Sequence, residues 1–401
     1  MTDKLALFKN AGAAIKKRKL HVHQVQLDAS KPVPHLSTGN LFADYVIGGN
    51  VCPGFPRGMI VELFGPESSG KTTFVTQVAA HAVRQRLTVL YLDYEHAFSA
   101  RYAQRLGLDI KSDYFVMYQP IVYEEAGWYV KEYLKAQVDL IIIDSLAAMT
   151  PRKIMDATDF DKDVRIGEHA RLTSQLLQRM TAWQRAFKAG SCFVWVNQIR
   201  SKIDTSGAGR SGEKTTGGNA LRFYAGARLR LQPIGTQKVE WEDPVTKMKK
   251  RIPDAITVRL ENIKNKVADR QGFSDLLTLK FGRGFDVLST AIDVAIRHKR
   301  IKKKSSWYSM DDDKGNQLFR VQGKGNVYEH VASDQALRDD LIQRVRDLLV
   351  EADKAFVEAK KGLDVVEAPI DDEFDEFANA EYEEASPYED EWAEEEDEDA
   401  A

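Results

Sequence analysis

The stretch that most constrains this chain runs Gly65-Pro66-Glu67-Ser68-Ser69-Gly70-Lys71-Thr72-Thr73. It is a Gly-x-x-x-x-Gly-Lys-Thr loop. Before it stands the apolar run Met59-Ile60-Val61-Glu62-Leu63-Phe64, which predicts a buried strand, and after it comes a helix-forming segment from Thr73 to Gln85. Strand, glycine loop and helix are the context in which such a loop cradles phosphates. The glycines let backbone N–H groups turn toward a β-phosphate, and the helix N-terminus adds partial positive charge. Lys71 is placed to span β- and γ-phosphates, and the Thr72 hydroxyl to join a Mg²⁺ shell. A strand–loop–helix unit of this kind calls for a parallel sheet with ligands at its carboxyl ends.

The rest of the chain supplies that sheet. Thr88 to Asp93, Tyr114 to Tyr118, Asp139 to Asp144 and Cys192 to Val196 are apolar strand candidates. Helices are predicted between them at Arg101 to Leu106, Glu124 to Ala136 and Gly167 to Ala189. Alternation of this kind means an α/β fold with a mostly parallel central sheet. Ala225 to Leu231, Ala255 to Asn262 and Leu276 to Phe281 are expected as closing, antiparallel strands. From Gly284 a smaller α/β unit follows, ending in a helix from Gln335 to Val350. The expected division is a small N-terminal helix/strand element at 1–34, a core at 35–283, a C-terminal unit at 284–350 and a disordered acidic tail at 351–401.

Charge bears on partners. Between Leu363 and Ala401 lie 19 acidic and no basic residues, which leaves 41 acids against 57 bases in the rest, a body of about +16. A basic body with an acidic tail points to a polyanionic partner and a segment that competes with it. The N-terminus lacks the apolar core of a signal peptide, so a cytoplasmic location is expected, the host's cytoplasm for a viral chain. Cys52 and Cys192 stand far apart in apolar surroundings, which favours core packing over a disulfide or metal site.

Two carboxylates follow strand ends. Leu140-Ile141-Ile142-Ile143-Asp144 is a Walker B pattern whose Asp144 would hold Mg²⁺, with Ser145 beside it. Glu95 follows the second strand, in Asp93-Tyr94-Glu95-His96, and could align or deprotonate an attacking water; Asp93 and His96 are alternatives. Gln198 follows the fifth strand, Cys192 to Val196, at the same sheet edge and can donate to a γ-phosphate oxygen. The segment Ile199 to Thr216, carrying Gly207, Gly209 and Gly212 with Arg200, Lys202, Arg210 and Lys214, is expected to be a mobile basic loop. A phosphate-sensing amide joined to such a loop is the minimum for a nucleotide switch.

Together these segments resemble the bacterial RecA-type homologous recombinase family, over roughly residues 35 to 350. The loop from Gly65 to Thr73 matches in full, and His35 to Leu41, Asp93 to Ala97, Ile143 to Pro151 and Asn197 to Arg200 are similar. Thr215-Thr216-Gly217-Gly218-Asn219-Ala220-Leu221-Arg222-Phe223-Tyr224-Ala225 separates this family from helicases and clock-type ATPases, which share only the nucleotide motifs. The resemblance implies a RecA-like P-loop ATPase using ATP and Mg²⁺, assembled as a filament on single-stranded DNA and exchanging strands with homologous duplex. It implies Glu95 as catalytic carboxylate, Tyr102 as adenine-stacking residue, Gln198 as nucleotide sensor, and Lys264 and Lys266 as lysines reaching a neighbour's γ-phosphate. Phe223 would lie at the interface between copies.

The same resemblance implies two DNA loops. The first, about 152–167, brings Arg152, Lys153, Arg165 and Ile166, with Arg171 on the helix beyond. The second brings Arg200, Lys202, Ile203, Arg210 and Lys214, with Thr216, Gly217, Gly218 and Asn219 following. Contacts there would be chiefly to phosphates, indifferent to base sequence. Arg297 to Lys304, beside Trp307 and Tyr308, suggests duplex binding. Single-strand-binding or mediator proteins are further implied partners. Three departures stand out: acidic residues Asp156, Asp159, Asp161 and Asp163 in the first loop, a divergent second loop, and Gln232-Pro233 where the family has a basic pair.

Overall fold

The computed structural model describes residues 34–50, 52–156, 168–201, 213–216 and 218–361. The chain divides into two units, Met1–Asp353 and Lys354–Ala401. The predicted N-terminal helix and strand, most of both predicted DNA loops and residues 362–401 of the expected tail lie outside the described residues, whereas 351–361, expected to belong to that tail, are helical. No described helix is long and apolar enough to cross a membrane.

The first unit opens with a two-stranded pair, β1 (His35–Leu36) and β2 (Phe55–Pro56), enclosing helix α1 (Leu41–Gly48). Asn40 caps α1 by accepting from the amides of Phe42 and Ala43. The central elements follow in order: β3 (Ile60–Gly65), α2 (Lys71–Arg84), β4 (Val89–Asp93), α3 (Ala100–Arg105), β5 (Phe115–Tyr118) and α4 (Glu125–Lys135). Then come β6 (Leu140–Asp144), α5 (Arg152–Met155), α6 (Glu168–Ala186) and β7 (Cys192–Ser201). Strands β3, β4 and β6 are buried at every position, as a sheet covered on both faces requires. Spatial order is β12 (Gly284–Phe285), β11 (Ser274–Lys280), β10 (Lys249–Asn265), β9 (Ala227–Glu242), β3, β7, β6, β4, β5, with parallel pairing from β9 through β5.

Beyond β7 the short strand β8 (Glu213–Thr215) pairs back on it, Ile199 opposite Thr215. The two ends of the expected loop are therefore a β-ribbon, because β7 continues past Val196 as far as Ser201. Next come α7 (Ala220–Tyr224), β9 (Ala227–Glu242), β10 (Lys249–Asn265), β11 (Ser274–Lys280) and β12 (Gly284–Phe285). The expectation of antiparallel closing strands holds for β10 and β11; β9 is antiparallel to β10 but runs parallel to β3, and a further short antiparallel strand, β12, lies beyond them. Both β9 and β10 also extend well past their expected ends. Their outer halves alternate apolar and charged residues rather than forming apolar runs, which hides them from a search for buried strands.

The C-terminal elements are α8 (Val287–Arg297), a three-stranded sheet of β13 (Lys302–Lys304), β14 (Trp307–Asp311) and β15 (Gln317–Gln322), then α9 (Lys324–Ser333) and α10 (Gln335–Lys361). One apolar cluster joins Val61 and Leu63 of β3 to Ala291 and Ile292 of α8 and to Leu341 and Val345 of α10. A second, on the other face of the sheet, gathers Leu90, Ile141, Phe193 and Trp195 under α4 and α6. Arg270 pairs with Asp353, both buried, and its guanidinium lies over the rings of Tyr45 and Phe273. Cys52 and Cys192 are buried free thiols, as core packing requires.

A buried ion pair lies in the middle of the sheet. Arg228 Nε donates to Glu62 at 2.5 Å, and the Asn197 amide donates to the other Glu62 oxygen at 3.0 Å. Removing one member of such a pair strands the other charge in a low-dielectric interior. Arg228→Met is expected to cost about 3–5 kcal/mol in denaturant unfolding, with part of the loss recovered in Glu62→Gln/Arg228→Met. A loss below about 1 kcal/mol would show that Glu62 is already satisfied without the arginine.

Candidate nucleotide site

The carboxyl ends of β3, β4, β6 and β7 converge on a cavity of about 390 Å³. Residues Glu67 to Thr73 form one wall, and Glu95, Asp144 and Gln198 face it. The loop's tightness explains its glycines. A Cβ on Gly65 would stand 2.2 Å from the Leu231 carbonyl oxygen, and Gly70 adopts φ +86° with Leu279 and Phe285 against it. Without those glycines the backbone could not turn inward there. Helix α2 begins at Lys71, two residues before the predicted start, so its first-turn residues Lys71, Thr72 and Thr73 line the cavity.

Lys71 is buried. Its ammonium donates to the carbonyl oxygens of Pro66 at 2.6 Å and Gly65 at 3.1 Å. Burial lowers its pKa, against the opposing pull of Asp144, Glu95 and Glu67. The Thr72 hydroxyl donates to Asp144 Oδ2 at 2.8 Å, and the Tyr91 hydroxyl donates to the same oxygen at 2.8 Å. Asp144 Oδ1 is buried and has no hydrogen-bond partner. An orphaned carboxylate oxygen beside a threonine hydroxyl at a phosphate loop is a donor set suited to a hard divalent cation, with phosphate and water completing its shell. Burial is the main reason the Asp144 carboxyl is pushed up to about 6; the Thr72 and Tyr91 hydrogen bonds lower it, while Glu95 and Asp93 raise it.

Glu95 is exposed at the cavity, and its Oε1 accepts from the Ser145 hydroxyl at 2.5 Å and from Gln198 Nε2 at 3.1 Å. The alternatives fare differently. Asp93 is buried and accepts from the Phe98 amide and the Gln119 side chain, which occupies it structurally, whereas His96 is exposed in a left-handed turn. Gln198, the predicted γ-phosphate donor, is here tied to that carboxylate. Thr73 and Tyr102 meet hydroxyl to hydroxyl at 3.2 Å on the far side of the loop.

Sequence patterns missed two residues that organise this edge. Tyr91 reads as one more apolar strand position, yet its hydroxyl reaches Asp144. Asn197, buried, donates both to Glu62 and to the Thr216 carbonyl at 3.0 Å, so it joins the ion pair in the sheet to the end of the second loop. An asparagine ending an apolar strand is the only signal that could have found it.

The predicted lysine pair lies elsewhere. Lys266 N donates to the Gly226 carbonyl, and Gly226 N to the Ile60 carbonyl, so these residues stand at the start of β3, opposite the edge that carries Lys71. Lys264 Nζ donates to the Arg222 carbonyl at 2.6 Å and Lys266 Nζ to that of Phe223 at 3.2 Å. Partial burial, then Lys266 and Arg228, lower the Lys264 pKa. Phe223 is 71 % exposed.

Among the DNA-contact candidates, Arg152 and Lys153 are exposed on α5, and Arg171 is exposed on α6 but paired with Glu168 at 2.6 Å. Gly218 and Asn219 are exposed before α7, and Thr216 is half-buried with an unpartnered hydroxyl. The backbones of Arg200 and Lys214 pair across the β7–β8 ribbon. Arg165, Ile166, Lys202, Ile203, Arg210 and Gly217 lie outside the described residues.

Comparison with known proteins agrees with this geometry. The profile of the RecA N-terminal domain matches residues 9–286. Protein RecA of Borrelia duttonii is 35 % identical over 324 residues, which span 80 % of this chain and 82 % of that protein. Protein RecA of Borreliella afzelii is 34 % identical over 338 residues, 82 % of this chain and 86 % of that one. A crystal structure of the RadB recombinase covers 62 % of this chain and 98 % of its own at 20 % identity, with a TM-score of 0.42. On the profile match and the extent of the RecA alignments, the chain belongs to the RecA family.

Proposed function

We propose that the cavity at the β3–β7 edge binds and hydrolyses ATP within a recombinase assembly. The chain is an ATP-dependent DNA recombinase with DNA-dependent ATP hydrolysis, acting in recombination and repair. The observation that carries the site assignment is the hydrogen-bonded line Gln198–Glu95–Ser145 beside a glycine loop bearing Lys71 and Thr72. Lys71, released from the Pro66 and Gly65 carbonyls, binds the β- and γ-phosphates. Thr72 and Asp144 would hold Mg²⁺, which would supply charge neutralisation at the phosphates. Tyr91 and Ser145 fix the two carboxylates. Glu95 orients the attacking water and takes its proton; phosphoryl transfer asks for positioning and charge more than covalent help. Gln198 exchanges its bond to Glu95 for the γ-phosphate and so reports nucleotide state through β7 to the second loop.

Lys264 and Lys266 complete the site of an adjacent copy, since within one chain they stand at the opposite end of β3. They act as arginine fingers do and make hydrolysis depend on assembly. Single-stranded DNA binds along the two loops through phosphates, and duplex binds at the C-terminal basic strand. There Lys302, Lys303 and Lys304 are exposed and Arg320 lies over the Trp307 ring at 5.1 Å. Single-strand-binding or mediator proteins are partners consistent with this activity, and the cytoplasm is its expected place. Homologous strand exchange with ATP, and none without it, is the expected result. Exchange that proceeds equally without nucleotide would refute the assignment.

The Asp144 carboxyl adds a pH dependence with a definite sign. A cation needs the carboxylate, and burial holds this acid protonated below about pH 6. Cation-dependent ATP affinity is therefore expected to be flat above pH 7 and to fall as pH drops through 6, approaching about tenfold per unit. Asp144→Asn should weaken affinity and abolish that dependence in a titration followed by fluorescent nucleotide. An unchanged profile in the variant would separate Asp144 from the cation.

A further inference from the structure

Strand β9 leaves β3 at Arg230, level with Phe64, and continues past the nucleotide loop to Glu242. Strand β10 returns from Lys249 and meets β11 only from Ala255 onward. From Lys238 opposite Pro253 to Glu242 opposite Lys249 the pair stands alone as a two-stranded ribbon, closed by a turn in which Asp243 accepts from the amides of Val245 and Thr246. At about 3.3 Å per residue, this free ribbon is roughly 17 Å long before its turn.

The ribbon has two chemically distinct faces. Directly opposed residues share a face. Val239 opposes Ile252 and Trp241 opposes Lys250, so three of these four side chains on one face are apolar, and Val245 and Met248 lie in the turn beyond. All are exposed, Val245 by 87 %. The other face pairs Glu240 with Arg251 and Glu242 with Lys249, with Lys249–Glu240 at 3.1 Å. An isolated two-stranded hairpin is marginal in water without something covering its apolar side.

We infer that this ribbon is an arm between copies, whose apolar face of Val239, Trp241, Ile252 and Val245 packs on the neighbour that supplies Lys264 and Lys266. The inference rests on the shared nucleotide site proposed above. That site requires a second copy against the edge that carries Gly65 to Thr73, and the ribbon projects past this same edge, one strand away from the loop. The occupant is thus fixed by continuity with that interface. Nucleic acid is the poorer fit. Between Thr236 and Asp254 five basic residues are balanced by four acidic ones, and the uncovered surface is apolar rather than cationic. Ion pairs along the charged face leave little to release counterions from a phosphate backbone.

The test uses the full chain. Val245→Cys carries a thiol-reactive benzophenone; Cys52 and Cys192 are buried, so labelling falls on the ribbon. With single-stranded DNA and a non-hydrolysed ATP analogue, irradiation is expected to give covalent protein dimers, absent without nucleotide. Val239→Ser/Trp241→Ser/Ile252→Ser should raise the protein concentration for half-assembly at least tenfold, while leaving fluorescent-nucleotide binding by the unassembled protein unchanged. Protein–DNA adducts, or adducts within one chain, would overturn the arm. So would assembly at the wild-type midpoint by the triple variant. Failure of the unmodified protein to form filaments would instead overturn the proposed function.

Discussion

Lys71→Ala is expected to abolish ATP-dependent DNA binding and strand exchange, with hydrolysis reduced at least about 10²–10³-fold, the scale for removing a preorganised charge donor from a transition state. The effect should exceed what lost nucleotide affinity explains, because Lys71 is the sole ammonium within the cavity wall among the described residues. Its loss also leaves the Pro66 and Gly65 carbonyls without their donor, so loop geometry is expected to suffer as well. Lys71→Arg separates the two causes: charge remains, but the planar guanidinium does not fit a space built for a compact head. Single-turnover hydrolysis at saturating ATP is the measurement. Full strand exchange by the alanine variant would refute the assigned role.

The second large effect concerns residues far from that cavity. Lys264→Ala/Lys266→Ala is expected to lower DNA-stimulated hydrolysis by about 10³-fold, the lower range for a finger supplied in trans, with nucleotide binding by the unassembled protein retained. The geometry makes this an unusual prediction. These lysines sit beside Arg222 and Phe223 at the start of β3, where substitution should cost little stability. An ordinary solvated strand end would give no loss of turnover. A loss confined to assembled, DNA-bound protein would separate a role in trans from local damage.

The nucleotide edge was legible because its chemistry is local. Gly70, Lys71 and Thr72 are consecutive and follow Gly65 within one loop, while Asp144 ends, and Glu95 closely follows, a strand whose apolar run announces it. The parallel order of the sheet followed from alternating strands and helices. What escaped was everything set by pairing across the sheet. Nothing local says that β9 lies beside β3 in parallel, that Tyr91 reaches Asp144, or that Asn197 links Glu62 to Thr216. The outer ribbon escaped for another reason: Val239, Trp241 and Ile252 alternate with charges, a pattern a buried strand does not have. The role proposed for Lys264 and Lys266 would not be a property of one chain, and only the family resemblance suggests it.

A shared site predicts complementation between two defective chains. Glu95→Gln retains Lys264 and Lys266 but lacks the carboxylate; Lys264→Ala/Lys266→Ala retains Glu95 but lacks the lysines. In an equal mixture assembled at random, about a quarter of interfaces join an intact Glu95 to intact lysines across two copies. DNA-stimulated hydrolysis by the mixture should therefore recover to about a quarter of the wild-type rate, from two preparations that are each nearly inactive. A rate equal to the average of the two separate preparations would contradict the shared site.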